Sequence, residues 1–277
     1  MSDKEVLLEV TSDHLNTGLR GVPVGTCRTS FVTPTEGVHY CGYPIAELAA
    51  FAPEDIIYLL FNKELPTPEQ SKQIRSELAA RATIPGDVES VLKTLPRDGH
   101  PMDWLSVGIH TLGMLETTND WRTDAMNLIA RMPRLMGLIF RIRDGRAEEI
   151  PADDPQASLV DRFVNALDLK GVDKEKMTRV ISTYLVLHMD HGGGNLSTFS
   201  GKAIASGHAT LYSSMAGAMN ALSGPLHGRA NQSCLEFVLR VGTSDPAEVE
   251  RFVRAELDAK RPVFGFGHAV LRTEDPR

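Results

Sequence analysis

The sequence lacks long apolar segments and basic clusters. Its 277 residues contain no run that approaches the ~18 apolar residues a membrane span requires, and the start MSDKEVLLEV has no apolar core behind a basic stretch. The formal net charge is -7 and the sequence pI is about 5.7. Nucleic acid and anionic membranes attract clustered Lys and Arg, so neither is expected as a partner. These absences predict a soluble, cytoplasmic protein.

Cysteine is scarce as well. Cys27, Cys41 and Cys234 form no Cys-x-x-Cys motif and cannot all pair with one another. Disulfide frameworks and zinc sites use even numbers of cysteines or closely spaced ligands. We therefore expect three reduced, structural thiols. A disulfide between Cys27 and Cys41 and a zinc site are the weaker alternatives.

The pattern that is present is mainly helical. Residues 1–43 are rich in Gly, Thr, Val and Pro, which predicts an extended arm or a short hairpin around Pro34 and Gly37. From Pro44 onward apolar residues recur at helical spacing, and TPEQ at residues 67–70 is a capping box with proline at the first helical position. The predicted helices are 68–82, 103–115, 124–143 with a kink at Pro133, 157–167, 174–188, 198–206, 208–222 and 246–259.

One domain junction is predicted, just after the Gly-Pro turn of residues 224–228. The helix before it is rich in Ala, Ser and Gly, and such a helix packs closely against a neighbour, either within the fold or in a dimer. The sequence thus predicts a mainly α protein. Residues 1–228 would form a large helical domain with an N-terminal extended arm, and residues 229–277 the beginning of a small helical domain.

Three histidines stand beside glycines. His191 precedes three glycines, His227 lies within Gly-Pro-Leu-His-Gly, and His268 follows Gly-Phe-Gly. Glycine allows sharp turns and close approach of a ligand, and strained backbone is often found at functional sites. These features indicate a polar small-molecule site. Arg277, nine residues after His268, is suited to bidentate carboxylate binding, with a frayed terminal residue as the alternative.

His188 and His191 could instead be metal ligands, because residues three apart share a helix face. No cysteine and no Glu-x-x-His motif completes such a set, and the glycines after His191 favour a ligand that lies against bare backbone. We therefore expect no metal. His188 follows the apolar row of Met177, Ile181 and Tyr184, which predicts a buried histidine with satisfied hydrogen bonds.

Three segments resemble the signature segments of citrate synthases: HMDHGGGN, GPLHGRANQ and FGFGHAVLRTEDPR. Their residues at variable positions resemble those of the mitochondrial-type branch. The resemblance extends back through GLRGVPVGTCRTSFVTPTEGVHYCGYPIAELA, LPRDGHPMDWLS and NLIARMPRLMGLIFR, and so covers nearly the whole chain. It implies an acyltransferase that converts the acyl group into alkyl on transfer. Acetyl-CoA and oxaloacetate would condense to citrate in a cleft between a large and a small helical domain, usually within a homodimer. Acetyl-CoA is a substrate, and no cofactor is implied.

The resemblance also assigns roles to single residues. His227 corresponds to the imidazole that hydrogen-bonds the acetyl thioester oxygen as it becomes an enolate. His268 corresponds to the imidazole that polarises the oxaloacetate ketone and delivers its proton. Oxaloacetate would be held by these two histidines together with His191 and Arg277. The positions that line the CoA site are Leu226, Val263, Gly265, Phe266, where a tyrosine is often found, and Ala269.

The sequence departs from the family in one respect. The family's catalytic base is an aspartate well beyond the motif that ends at Arg277, and helices with two further oxaloacetate arginines follow it. Asp275 corresponds to the Asp-Pro-Arg of the motif and not to the base. We therefore expect the chain to lack the family's C-terminal portion and to be inactive alone. The alternatives are a non-catalytic remnant that binds ligand or dimerises, and a 2-methylcitrate synthase that uses propionyl-CoA.

Overall fold

The computed structural model describes residues 6–16, 22–146, 154, 156–190, 192, 194–224, 227–267 and 271–277. It is mainly α, as predicted, with little strand. The helices are α1 Ile45–Leu48, α2 Pro53–Asn62, α3 Pro68–Ala80, α4 Gly86–Lys93, α5 Pro101–Glu116, α6 Trp121–Arg143, α7 Leu159–Leu167, α8 Lys174–His188, α9 Leu196–Ser206, α10 Leu211–Leu222, α11 Ala230–Val241 and α12 Pro246–Asp258.

The predicted N-terminal hairpin is confirmed. Strands β1 (Ser30–Thr33), β2 (Gly37–Tyr40) and β3 (Tyr43–Pro44) form an antiparallel sheet in the order β1-β2-β3. Ahead of the sheet lies a short 3-10 helix, Ser12–Asn16. The hairpin also receives the end of the described chain, because the Arg272 N–H donates to the Pro34 carbonyl at 2.8 Å.

Side-chain caps determine where most helices begin. Thr67 and Gln70 form the predicted capping box of α3: the Gln70 N–H donates to Thr67 Oγ1 and the Thr67 N–H donates to Gln70 Oε1. Five helices differ from their predicted starts: α5 and α6 begin two and three residues earlier, at Pro101 and Trp121, and α7 begins two residues later, at Leu159. Asn195 caps α9 two residues earlier than expected, and Thr210 caps α10 three residues later, because His208 turns the chain with a φ of 60°.

Three apolar clusters form the core. The first joins α4, α5, α6 and α10, and the third joins α2, α3 and α6. The small-residue helix α10 packs within the fold, against α5 and α9. The second cluster joins the hairpin to α1, α2 and α8, and it includes Tyr40, Leu187 and Leu271. The end of α8 and the segment before Arg277 therefore pack against the same hairpin. Among the described residues, no helix is both long and apolar enough to cross a membrane.

Candidate active site

Buried Tyr40 positions the segment that follows α8. Its hydroxyl donates to the Leu187 carbonyl at 2.9 Å and accepts from the Asp190 N–H at 3.2 Å. Burial is the largest cause of the raised pKa of Tyr40, so the phenol stays neutral and keeps its proton for Leu187. This pair of bonds fixes the chain on the residue immediately before His191.

Asp190 makes side-chain hydrogen bonds at the start of residues 190–194, which we call the glycine loop. Its Oδ2 accepts a short hydrogen bond from Thr29 Oγ1, and its Oδ1 accepts from the Gly192 N–H at 3.0 Å. His191 lies outside the described residues, as does Gly193. The residues on either side of His191 are nevertheless held by one carboxylate, which ties them to the segment ahead of β1.

His227 is bound by the start of α9. The Ser197 N–H donates to His227 Nε2 at 3.2 Å, and Ser197 Oγ lies 3.0 Å from the same nitrogen. A backbone N–H can only donate, so Nε2 is an acceptor and the neutral ring carries its proton on Nδ1. We infer this tautomer from the hydrogen bonds. It leaves the Nδ1–H as a donor on the opposite edge of the ring.

Asn195 links the glycine loop to Ser197, the hydrogen-bond partner of His227. Its Oδ1 accepts from the Thr198 N–H and from Ser197 Oγ, both at 2.8 Å, and its Nδ2 donates to the Gly192 carbonyl at 3.4 Å. One side chain therefore caps α9, orients Ser197 and contacts the loop around His191. The structure thus links Gly192, which follows His191 by one residue, to the hydrogen-bond partner of His227.

A tight turn presents His227. The His227 N–H donates to the Gly224 carbonyl at 3.0 Å, and the Gly228 N–H donates to the Leu222 carbonyl at 2.9 Å. A Cβ on Gly228 would stand 2.3 Å from that Leu222 oxygen. Only glycine fits such an approach of two backbones, which explains the glycine that follows His227.

Arg277 is held and is not frayed. Its side chain is 13% exposed, and Asp275 grips it with both oxygens: Nε lies 2.8 Å from Oδ1 and Nη2 lies 2.6 Å from Oδ2. Burial raises the pKa of Tyr40, and the positive charge of Arg277 acts in the opposite direction. Arg277 is therefore a largely buried side chain with a fixed guanidinium.

The described CoA-site candidates lie after α12. Val263 is partly buried, Gly265 faces Cys234 Sγ of α11, and Phe266 is 81% exposed. Gly265 has a φ of 89°, in the left-handed region that favours glycine. Leu226, His268 and Ala269 lie outside the described residues.

The prediction for His188 is wrong. The side chain is exposed, and it stacks on Tyr184 with ring centroids 4.1 Å apart. The apolar face of α8 contains Val186 and Leu187 instead, which are buried in the second cluster. The last two members of the predicted row, Tyr184 and His188, are exposed, and His188 Nδ1 is bonded to the Tyr184 carbonyl at 2.8 Å. Within the described ranges, no group of three or more His, Cys, Asp and Glu could hold a metal ion.

Sequence reasoning missed two positioning residues, Asn195 and Ser197. The signal for them was an Asn directly after the glycines and before a helical segment, which is a typical N-cap. The contact with His227 is separated by thirty residues and has no local signature.

Known proteins resemble this chain over nearly its whole length. The family model "Citrate synthase, C-terminal domain" matches residues 18–277. The mitochondrial citrate synthase of Saccharomyces cerevisiae is 32% identical over 305 residues, which cover 99% of this chain and 62% of the yeast protein. The peroxisomal citrate synthase of the same yeast is 30% identical over 305 residues, which cover 99% and 65%. The chain thus spans less than two thirds of the length of these curated relatives.

Solved structures are similar as well. Citrate synthase from Thermotoga maritima matches with a TM-score of 0.81 and 29% identity, covering 94% of this chain and 69% of that one. The citrate synthase of Thermoplasma acidophilum, solved as a ternary complex with carboxymethyl coenzyme A and oxaloacetate, matches with a TM-score of 0.80 and 27% identity, covering 97% and 70%.

The prediction of a cytoplasmic location is wrong, because these findings contradict it. The curated relatives from yeast and Arabidopsis thaliana are named as mitochondrial or peroxisomal, and none of these three is named as cytoplasmic. The prediction rested on missing apolar and basic segments. Cellular addresses are short signals read by receptors, and the composition of a whole chain does not encode them.

Proposed function

Because this chain belongs to the citrate synthase family, we propose that it supplies most of the substrate-binding surface of an enzyme that condenses acetyl-CoA with oxaloacetate and water to citrate and CoA. The observation that carries the proposal is the bond from the Ser197 N–H to His227 Nε2. It gives a neutral imidazole with a fixed Nδ1–H donor.

The reaction explains why such a donor is needed. The α-proton of a thioester is weakly acidic, so its removal needs a positioned base and donors aimed at the oxygen that gains negative charge. The Nδ1–H of His227 is assigned to that oxygen. A fixed neutral donor needs no reorganisation as the charge develops, and the Ser197 contact prevents the ring from presenting its other nitrogen.

Oxaloacetate is assigned to the face between the glycine loop and the C-terminal segment. His191 and Arg277 hold its carboxylates, and His268 polarises the ketone and protonates the alkoxide that forms on carbon–carbon bond formation. Asp275 occupies the Nε and Nη2 side of Arg277, so the substrate approaches the Nη1 nitrogen. Asp275 acts as a positioning residue that keeps the guanidinium plane fixed.

CoA is assigned to the segment after α12 and to the turn before His227. Leu226, Val263, Gly265, Phe266 and Ala269 line its site. The exposed ring of Phe266 offers an apolar surface to CoA. No separate cofactor is needed.

The remaining assignments concern the whole enzyme. The catalytic base is assigned to the part of the family's length that the chain does not span, so residues 1–277 alone are proposed to be inactive. The boundary between a large domain at 1–228 and the start of a small domain at 229–277 stays a prediction, as does a homodimer. Residues 271–277 pack on the hairpin, so they lie against the first of these units.

Release of CoA from acetyl-CoA plus oxaloacetate tests the proposal. Residues 1–277 are compared with the same chain extended at its C-terminus by the remaining family sequence. The extended protein should turn over, and the short one should be at least ~10²–10⁴-fold slower because proton abstraction is missing. A folded, inactive extended protein would contradict the function, whereas robust turnover by residues 1–277 would contradict only the placement of the base. A higher kcat/KM with propionyl-CoA would identify a 2-methylcitrate synthase.

A further inference from the structure

A cavity of about 370 Å³ opens beside the hairpin, apart from the residues assigned above. Cys27 and Cys41 both line it. Thr29 and Ser30 add hydroxyls, and Arg28 and Lys63 add positive charge. Neither cysteine takes part in the proposed condensation, and both are free thiols in the structure. Two thiols that share one solvent-accessible cavity are a chemical site in their own right.

A backbone hydrogen bond joins the two segments that carry the thiols. The Cys41 N–H donates to the Thr29 carbonyl at 2.7 Å, so Cys41 contacts a residue only two positions after Cys27. Cys41 begins the tight turn between β2 and β3, and its Sγ lies 3.6 Å from the Leu59 carbonyl, which anchors it on α2. Cys27 lies ahead of β1, in a segment without regular secondary structure. A disulfide requires Cα atoms about 4.4–6.8 Å apart, and the Cys27 segment is the side that can adjust to that distance.

The two thiols are chemically unequal. Cys27 Sγ lies 3.4 Å from Thr29 Oγ1 and 3.6 Å from Ser30 Oγ. Burial alone would raise the pKa of Cys27, but hydrogen bonds from Thr29 and Ser30 lower it overall. Burial raises the pKa of Cys41, and the charge of a Cys27 thiolate raises it further. Cys27 is therefore the thiolate that attacks first, and Cys41 remains a protonated thiol next to it.

We propose that Cys27 and Cys41 form a dithiol modification site that hydrogen peroxide converts into an intramolecular disulfide. The Cys27 sulfur attacks one peroxide oxygen, the O–O bond breaks, and one water leaves as Cys27 becomes a sulfenic acid. The Cys41 sulfur then attacks the Cys27 sulfur, the S–O bond breaks, and a second water leaves. Two thiols are oxidised by two electrons, and one peroxide is reduced to two waters.

The disulfide acts on the glycine loop through Thr29. The Thr29 hydroxyl donates to Asp190, the carboxylate that also binds the Gly192 N–H. Drawing the Cys27 segment toward Cys41 moves Thr29 and weakens this bond. Oxidation therefore loosens the loop around His191, whether or not the protein condenses acetyl-CoA with oxaloacetate.

The experiment treats residues 1–277, at a concentration too low for intermolecular reaction, with an equimolar amount of hydrogen peroxide. The protein is then denatured, alkylated and weighed by mass spectrometry, and the Cys234→Ser variant is the matched control. Wild type and control should each lose two hydrogen atoms and two free thiols, and digestion should yield one linked peptide pair. In Cys41→Ser, a sulfenic acid on Cys27 should be trapped by dimedone, whereas Cys27→Ser should leave Cys41 reduced.

Hydrogen exchange provides the second measurement. The peptide that contains Asp190 and Gly192 should exchange faster after oxidation and recover on reduction with dithiothreitol, and the Cys27→Ser variant should show no change. The proposal is overturned if Cys27 accumulates sulfenic or sulfinic acid while Cys41 stays free in the wild-type protein. Linkage through Cys234, or exclusively between two chains, would overturn it equally.

Discussion

At the scale of single residues, Ser197 fixes the tautomer of His227, and His227 is proposed to donate to the thioester oxygen. Substitutions at the two positions separate these contributions. In the extended protein, His227→Ala should lower kcat by ~10²–10³ with little change in CoA binding, the usual loss for one oxyanion donor. Ser197→Ala retains the backbone N–H that selects the tautomer, so its loss should be much smaller. Steady-state CoA release measures both. His227→Ala activity within tenfold of wild type would rule out the assignment.

Glu256 gives a pH-dependent prediction at the same scale. It is 4% exposed and bound by Arg261 and Arg240, whose hydrogen bonds lower its pKa to about 2 from 4.5, with that of Arg261 the larger cause. A carboxylate with a depressed folded pKa stabilises above its unfolded pKa and loses that effect as pH falls. Glu256→Gln should therefore destabilise at neutral pH, and its difference from wild type should shrink between pH 4.5 and about 2.

Urea midpoints measured across that pH range test this prediction. Glu250→Gln is the control, because Glu250 lies on the same helix and its pair with Arg254 is exposed and screened by solvent. It should change little at any pH. A difference between wild type and Glu256→Gln that persists unchanged at low pH would show that the carboxylate charge is not the cause.

Sequence reasoning worked from local signals. It singled out His227 and Arg277 from glycine context and motif; the structure gives both defined partners, and their roles stay predictions. His188 was misplaced because periodicity identifies a helix face only to within a residue or two, and Tyr184 with His188 falls at its edge. Ser197 was missed because its role depends on a contact across the fold.

At the scale of elements, the crossing of α6 and α7 depends on one glycine. A Cβ at Gly137 would stand 2.3 Å from the Ala166 Cβ, so the two helices would have to separate. Gly137→Ala should destabilise by about 1–3 kcal/mol, the usual cost of overpacking. Gly86→Ala is the matched control, because nothing lies within 4 Å of its Cβ position. It should be neutral or stabilise by about 0.4–1 kcal/mol. Chemical denaturation compares the two, and equal effects would contradict the packing argument.

Helix interiors were predictable and helix starts were less so. α8 runs from Lys174 to His188 as predicted, because Asp173 caps its beginning and glycines follow its end. α6 begins at Trp121, before the predicted residue 124, because Asp120 caps it, and it continues through Pro133. The choice among neighbouring Asp, Asn and Thr residues as the cap depends on tertiary contacts that no local pattern contains.

At the scale of the whole molecule, α11 leaves an apolar stripe uncovered. Leu235, Val238 and Leu239 are 59%, 59% and 69% exposed and lie on one helix face. Exposed stripes of this kind favour association. Residues 1–277 should therefore self-associate, and Leu239→Gln should lower the apparent mass in sedimentation. Met114→Gln, at a residue of α5 that is 79% exposed and lies outside this stripe, is the control and should not. A monomeric wild type would contradict this prediction.

The bond between Arg272 and Pro34 has a consequence for the order of assembly. Joining these residues closes nearly the entire chain into one loop, and the entropy of closure must be lost before the contact stabilises anything. During synthesis the hairpin leaves the ribosome early. Its contact with residues 271–277 can form only after those residues have left the ribosome as well. The part of the proposed dicarboxylate site that Arg277 supplies is therefore added only after residues 271–277 have been synthesised and have docked on the hairpin, well after the residues that flank His191 have left the ribosome.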